Sequence, residues 1–223
     1  MHIEPGLVDA SKIVLSYATA AGAGATALYH AGQALKERGL PSLVLRSLTA
    51  TVLTFVFFEV LPHFPVGVSE VHLILGSTLF LLLGVGPSAI GLALGLLIQG
   101  VFFAPFDLPQ FGMNVTTLLV PLFVMMEVAK RTIAPGTAYV DLRYGQVLKM
   151  SLVYQGGIVS WVAFWAIYGQ GFGATAGIAS FGLAYMTVVL LEPLVDLAVL
   201  AAAKGLRGKV PTGLVNGRLY AAA

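Results

Sequence analysis

The sequence predicts an all-α fold, a polytopic membrane helical bundle of about seven transmembrane helices, and three observations carry this prediction. Of the 223 residues, 58% are hydrophobic and only 10% are charged, whereas about a quarter of residues are charged in ordinary soluble domains. Several apolar runs approach or exceed the ~20 residues that a helix needs to cross a bilayer. Proline and glycine separate these runs, at positions where helices commonly end.

The predicted helices follow the apolar runs in chain order. They cover about residues 11–34, 43–62, 68–85, 87–104, 113–133, 144–169 and 174–205. The whole chain, residues 1–223, is expected to form a single membrane domain. Within it we expect an external amino-terminal segment over 1–10, the bundle over 11–205 and a cytoplasmic tail over 206–223. Small residues such as Gly91 and Gly95 allow close helix approach, either within the chain or against a membrane partner.

Positive charge sets the predicted orientation, because Lys and Arg concentrate on the cytoplasmic side of membrane proteins. With an external amino terminus and a cytoplasmic carboxyl terminus, the external connections at 62–67, 105–112 and 169–173 contain no Lys or Arg. Lys12 is the basic residue that this topology leaves near the outer face. The cytoplasmic connections carry Lys36, Arg38, Lys130, Arg131, Arg143, Lys204, Arg207, Lys209 and Arg218. The expected location is the inner (plasma) membrane, with multiple passes.

Composition and missing motifs exclude several classes of function. The chain has no cysteine, so any metal must be bound by nitrogen or oxygen, and its formal charge of +2 does not favour nucleic acid. No Gly-x-x-x-x-Gly-Lys-Ser/Thr pattern occurs, so the chain is not the usual ATPase. Neither His-Glu-x-x-His nor Gly-x-Ser-x-Gly occurs, which argues against a membrane-embedded enzyme.

The start of the chain is a candidate metal chelate. We expect Met1 to be the mature start with a free amine, because no secretory signal pattern is visible. The amine, the deprotonated main-chain nitrogen of His2 and the His2 imidazole can fill three positions of a square plane. His72, which topology places at the outer end of the third helix, is the best-placed fourth donor. Such coordination suits Ni(II) and Cu(II), and Co(II) if the protein imposes the geometry.

Each of these histidines also has a simpler interpretation. His2 is alternatively a solvated terminal residue, and His72 a helix-end histidine that bonds a neighbour. His63, beside Pro62 and Pro65, is better explained as a loop residue than as a ligand.

Charged residues inside apolar segments are costly unless they are paired or face a cavity, which makes each of them a candidate for function. Glu192 and Asp196 lie one helical turn apart and form either a transit site or the neighbourhood of a kink at Pro193. Pairing or snorkelling near a helix end fits Arg46 and Lys149. The full set is Arg46, Glu59, Glu127, Lys149, Glu192 and Asp196.

Three blocks of sequence carry a family resemblance. The opening MHIEPG, the segment PVGVSEVHLILGSTLFLLLGVGPSAIGLALGLLIQG at 65–100 and FGMNVTTLLVPLF at 111–123 resemble the CbiM/NikM family. Its members are the substrate-capture (S) subunits of cobalt and nickel energy-coupling factor (ECF) transporters, a kind of ABC transporter. The resemblance implies a seven-helix subunit that binds Co(II) or Ni(II) at its external face.

The resemblance also implies the residues of the site. The metal ligands are the terminal amine of Met1, His2 and His72, and Ser69 and Asn114 line or buttress the pocket. Glu70 departs from the family pattern. It either orients a ligand from outside the coordination shell or is a solvated charge at a helix start, where it complements the helix dipole.

Partners are implied in the same way. The resemblance implies a transmembrane coupling (T) subunit, cytoplasmic ATPase subunits and, in some systems, a small accessory membrane subunit, with the metal as substrate and no cofactor in this chain. The alternative is a stand-alone metal channel or sensor. Both cobalt and nickel fit the ligand set.

Overall fold

The computed structural model describes residues 3–221, most of which are helical. Its six helices are α1 (Val14–Phe55), α2 (Gly76–Leu83), α3 (Val85–Phe102), α4 (Phe111–Thr132), α5 (Tyr144–Gln170) and α6 (Thr175–Gly205). A π-helical turn (Val56–Val60) continues α1, and β1 (Phe64–Val66) and β2 (Ser69–Val71) form an antiparallel hairpin. Short 3₁₀ helices lie at Pro105–Gln110, Tyr139–Asp141, Gly171–Ala174 and Thr212–Leu214.

Four helical stretches of the described chain are long and apolar enough to cross a membrane: Val14–Val60, Val85–Phe102, Pro105–Thr132 and Tyr144–Gly205. The first has 47 residues and the last 62, which as straight helices would extend about 70 and 93 Å against a hydrocarbon core of about 30 Å. Both are broken at a glycine with positive φ, Gly39 (77°) and Gly171 (63°). The count of seven crossings stays a prediction.

The break at Gly39 reverses the direction of the chain. A Cβ on Gly86 would lie 2.6 Å from the His30 oxygen, and one on Gly84 would lie 3.5 Å from Arg46 Nη1. Residues on either side of Gly39 therefore meet the same junction between α2 and α3. Because this junction lies at one end of both α1 segments, the two segments run in opposite directions from it.

The outward faces of the long helices are apolar. Leu28, Leu183 and Leu190 are 73%, 75% and 67% exposed. Large leucine side chains in contiguous exposed rows are unfavourable in water and favourable against lipid. The surface therefore suits contact with a bilayer along most of its height.

The third predicted helix, 68–85, differs in the structure. Helix α2 begins only at Gly76, because the hairpin pairs Phe64 with Val71 and the following link stays non-helical as far as Leu75. Leu75 adopts a left-handed conformation (φ 54°, ψ 34°), which a helix cannot continue through. His72 therefore lies in the link between β2 and α2, and not at the end of a helix.

Close packing joins α1 to α3. A Cβ on Gly91 would lie 2.2 Å from Ala50 Cβ, and one on Gly95 would lie 2.6 Å from Thr54 Cβ. The predicted close approach at these glycines is thus made within the chain.

The carboxyl-terminal residues fold back onto the bundle. The Asn216 N–H donates to the Leu82 oxygen (2.6 Å) and the Val140 N–H donates to the Leu219 oxygen (3.2 Å). Leu219 is only 1% exposed. The predicted tail is consequently a packed cover over the end of the bundle that holds the α2–α3 junction.

Candidate metal site at the amino-terminal end

The amino-terminal segment is tied to the bundle at Ile3. Its N–H donates to Asn114 Oδ1 at 2.8 Å, its backbone forms an antiparallel bridge with Ser69, and its side chain is fully buried. The Glu4 N–H donates to the Val68 oxygen at 3.2 Å. Met1 and His2, the predicted chelate, lie outside the described residues. Their neighbour Ile3 is held between β2 and α4.

Asn114 lies in the first turn of α4 and is 1% exposed. Gly112, two residues earlier, makes this position possible, because a Cβ there would lie 2.7 Å from Ser16 Oγ. With glycine, α4 begins directly against α1. The Asn114 amide consequently meets the amino-terminal segment inside the protein rather than at its surface.

His72 is 3% exposed, and its ring is a close neighbour of Phe58, with 4.5 Å between the ring centroids. Its Nδ1 lies 3.1 Å from the Leu73 oxygen. The chain leading to it is β2, which contains Ser69. The structure thus brings Ile3 into direct contact with both Ser69 and Asn114 and places His72 three residues after Ser69 on the same segment.

Glu192 and Asp196 hold the other end of the His72 segment. Glu192 Oε1 accepts the N–H groups of Ile74 (2.5 Å) and Leu75 (2.9 Å), and its Oε2 accepts from Gln155. Asp196 accepts the hydroxyls of Ser77 (2.6 Å) and Thr78.

Both carboxylates therefore bond the start of α2, a role that the spacing of acidic residues in α6 did not reveal. The one available signal was their position inside an apolar segment, since a buried charge must find partners. Gln155, which links Glu192 to Tyr185 (2.6 Å), was not singled out by the sequence.

The remaining predicted residues, His63 and Glu70, flank the hairpin. His63 lies in the loop before β1, with Nδ1 3.3 Å from the Leu61 oxygen. Glu70 lies in β2 opposite Pro65, so its predicted position at a helix start is wrong.

Negative charge gathers at this end of the bundle. Burial raises the pKa of Glu4, and the charges of Glu70 and Asp107 raise it further. Among residues 3–221, no group of three or more His, Cys, Asp or Glu side chains is arranged to hold a metal ion. These carboxylates therefore supply a local negative potential rather than a ligand set.

Lys12, the basic residue at odds with the charge rule, bonds the end of α5. Its Nζ donates to the oxygens of Tyr168 (3.1 Å) and Gly169 (2.9 Å). Carbonyls at a helix carboxyl terminus lack helical partners and carry partial negative charge. The position of Lys12 is therefore explained by its hydrogen bonds to the carboxyl end of α5.

Three of the other charged residues in the apolar segments, Glu59, Glu127 and Arg46, have local partners. Glu59 accepts from Gln99 (3.3 Å), and Glu127 pairs with Lys130 (2.7 Å). Arg46 is 1% exposed and donates to the Leu83 oxygen (2.9 Å), so it does not snorkel. Lys149 is exposed.

The family described as "CbiM: cobalt uptake substrate-specific transmembrane region" matches residues 2–210. The chain belongs to the CbiM family. A crystal structure of a truncated transition metal transporter shares the fold of this CbiM-family chain, with a TM-score of 0.66 and 17% identity over 94% of this chain and 99% of the other. A comparison with curated protein sequences gave no match.

Family membership and the apolar helices together make the chain a multi-pass membrane component of metal uptake. It is a transporter component and not an enzyme. A metal ion is accordingly its substrate.

Proposed function

We propose that this chain is the substrate-capture subunit that binds Co(II) or Ni(II) at its external, amino-terminal end for ATP-driven import. The proposed ligands are the terminal amine of Met1, the main-chain and imidazole nitrogens of His2, and the imidazole of His72. Four nitrogen donors in a plane suit Ni(II), and Co(II) accepts them when the protein imposes the geometry.

The observation that carries this proposal is the attachment of Ile3. Because its N–H is bonded to Asn114 and its backbone is paired with Ser69, the residues before it start from a fixed point beside the strand that leads to His72. A chelate held in position loses less conformational entropy when the metal binds. Ser69 and Asn114 therefore act as supports of the site and not as ligands.

The surroundings of His72 favour Nε2 as the ring nitrogen that binds the metal. A proton on Nδ1, donated to the Leu73 oxygen, gives Nε2 the lone pair. Ligating histidines commonly bond a carbonyl or carboxylate through the other nitrogen, which fixes the orientation of the ring. The nearby Glu4, Glu70 and Asp107 raise the local concentration of cations.

The proposed topology has seven crossings with the amino terminus outside. Two come from α1 on either side of Gly39, and four come from α3, α4, α5 and α6. The remaining crossing combines the link after β2 with α2, whose eight residues extend only about 12 Å. Non-helical backbone at membrane depth is tolerated where protein surrounds it, and residues 74–81 are all buried.

Import also needs partners, which we assign by class. A transmembrane T subunit couples the chain to cytoplasmic ATPase subunits, with a small accessory membrane subunit where one is required. The driving force comes from ATP because a tight nitrogen chelate does not release its ion unaided.

The ligand set is tested by metal affinity, measured by competition titration on protein with an authentic terminus. We expect His2→Ala, His72→Ala and a residue added before Met1 each to lower the affinity by more than the roughly 10–100-fold that supporting residues contribute. His30→Ala is the matched control, since the His30 ring packs near Phe123 (5.9 Å between centroids) at the opposite end of the bundle. Unchanged affinity in the extended chain contradicts the amine ligand.

The partner requirement is tested by uptake of labelled Co(II) and Ni(II) into cells with and without the ATPase subunits. Uptake that depends on them, together with their co-purification, supports the capture subunit. Robust uptake without them would instead identify a stand-alone channel. Comparing the two ions also settles which metal is preferred.

A further inference from the structure

We propose that the cavity at the end of the bundle opposite Ile3 binds the phosphate group of an anionic phospholipid. The cavity has a volume of about 620 Å³, within the range of small-ligand sites. It lies between α1, the α2–α3 junction, the end of α4 and the carboxyl-terminal tail. Its described part is lined by four Lys or Arg residues, one histidine and one acidic residue: Arg38, Arg46, Lys130, Arg218, His30 and Glu37.

Arg46 is the centre of the argument. It is 1% exposed, its Nη1 donates to the Leu83 oxygen (2.9 Å) and its Nε to the Ser42 oxygen (3.4 Å). Its Nη2 has no hydrogen-bond partner among residues 3–221. A guanidinium stays charged at any pH that proteins tolerate. Of the buried side-chain atoms without a partner in residues 3–221, Nη2 of Arg46 is the one that belongs to a cation, and such atoms commonly mark a ligand, ion or water.

The neighbouring charges leave a net positive cavity. Arg38 is 3.5 Å from Glu37 and Lys130 is 2.7 Å from Glu127, so both are partly neutralised. Arg218 donates through Nη2 to the Ala134 oxygen (2.5 Å) and through Nε to the Thr137 oxygen (3.1 Å), and these neutral acceptors do not cancel its charge. Within the described chain, neither Arg46 nor Arg218 has a carboxylate partner. The charge of the cavity therefore favours an anion.

The position of the cavity selects phospholipid as the source of the phosphate. Tyr29 lines the cavity and is 64% exposed on α1, and Leu28 beside it is 73% exposed. These side chains belong to the apolar surface that suits acyl chains. Basic pockets between helices on the cytoplasmic side bind anionic headgroups in membrane proteins, and this end lies on that side in the topology proposed above.

The guanidinium fork explains why arginine occupies position 46. It presents several N–H donors in a fixed plane. Nη1 donates to Leu83 and Nε donates to Ser42, and these two bonds fix the position of Nη2, the nitrogen that is left to donate to a phosphate oxygen. A lysine would retain the charge and lose this geometry.

The experiment uses the full chain, purified without metal and reconstituted in nanodiscs of phosphatidylcholine with or without phosphatidylglycerol. Retained lipid is counted by native mass spectrometry after extraction, and thermal stability is measured in parallel. We expect selective retention of phosphatidylglycerol and a raised unfolding temperature. Inorganic phosphate, added to pure phosphatidylcholine nanodiscs, is the second arm.

Three variants make the test decisive. Lys130→Gln should weaken phosphatidylglycerol binding about five-fold, as expected for one charge near a headgroup. Lys149→Gln is the matched control, since it removes an exposed lysine that does not line the cavity. Arg46→Lys should lose most of the selectivity over phosphatidylcholine. If Arg46→Lys fails to fold, Lys130→Gln against Lys149→Gln still decides the result.

Phosphatidylglycerol selectivity that Lys130→Gln weakens supports the proposal. Stabilisation by inorganic phosphate alone retains the phosphate site and overturns the lipid source. Equal retention of both lipids with no effect of phosphate overturns the site. His2→Ala should leave lipid binding unchanged, so failure of the metal proposal and failure of this one are distinguishable.

Discussion

Glu192 and Arg46 are both charged side chains buried in an apolar bundle, and they are bonded very differently. Glu192 accepts from Ile74, Leu75 and Gln155, so both of its oxygens are used. Arg46 donates through two nitrogens and leaves the third without a described partner. A complete set of bonds fixes the neighbouring chain in place. An incomplete set leaves bonding capacity for a group from outside.

The completeness of hydrogen bonding distinguishes a structural charge from a binding charge. Burial does not distinguish them, because Glu192 and Arg46 are both at most 1% exposed. Around Glu192, main-chain donors from the link before α2 balance the carboxylate. Around Arg46, the available acceptors are neutral carbonyls, and they leave its charge unbalanced. The α2 start therefore needs nothing further, whereas the cavity at the opposite end favours an anion.

The largest effect is expected from Glu192→Ala. The change strands the N–H groups of Ile74 and Leu75 and the amide of Gln155, and each buried donor left unsatisfied costs about 1–3 kcal/mol. We expect the free energy of unfolding to fall by at least about 3 kcal/mol, measured by denaturation in mixed micelles. Glu192→Gln keeps an acceptor for both N–H groups and should lose much less. Equal losses in the two variants would contradict the role assigned to the carboxylate oxygens.

Gly91→Ala should cause the next largest loss in the free energy of unfolding, because it introduces a side chain against α1, the helix that contains Arg46. The new Cβ would lie 2.2 Å from Ala50 Cβ, so α1 and α3 must separate, at a cost of about 1–3 kcal/mol. Gly182→Ala is the matched control, because the position of its Cβ has no neighbour within 4 Å. The same denaturation measurement should show Gly182→Ala at or slightly above wild-type stability. A neutral Gly91→Ala would show that the helix contact is loose.

Asn114 is a neutral counterpart of Glu192, since it also accepts a main-chain N–H. Asn114→Ala should lower metal affinity by about 10-fold, the lower end of the range for groups that support ligands. Asn114→Asp retains the acceptor oxygen and should bind more tightly than the alanine variant. Titration of Co(II) and Ni(II) measures both. Equal metal affinity in the wild type and both variants would show that Asn114 does not support the metal site.

The smallest effect is expected at Asp141, which is exposed, whereas Glu192 and Arg46 are buried. Hydrogen bonds from Arg207 (2.7 Å) and Lys204 (3.2 Å) lower its pKa below the ordinary value of 3.8. Because the folded-state pKa is lowered, its stabilisation is present above 3.8 and is lost as pH falls through the lower folded value. Wild type and Asp141→Asn should therefore differ slightly in unfolding temperature at neutral pH and converge in acid. A difference that persists in acid would point to a cause other than the ion pairs.

The helices with strong local signals were predicted well from the sequence. The runs at 113–133, 144–169 and 174–205 correspond to Phe111–Thr132, Tyr144–Gln170 and Thr175–Gly205. Hydrophobicity and glycine breaks decide such helices locally, without reference to the rest of the chain. The prediction of one helix over 68–85 was wrong, because a short apolar segment is compatible with both a strand and a helix.

The sequence by itself determined the membrane class, the apolar segments and the residue types of the proposed site, because these follow from composition, length and side-chain chemistry. Only the tertiary structure decided that Ile3 contacts Asn114, more than a hundred residues away. The same holds for Glu192, which bonds the end of the link between β2 and α2. Such contacts join segments whose spacing along the chain carries no periodic signal. The same is true of Arg46, whose missing partner becomes visible only when α1, α2 and the carboxyl-terminal tail are packed together.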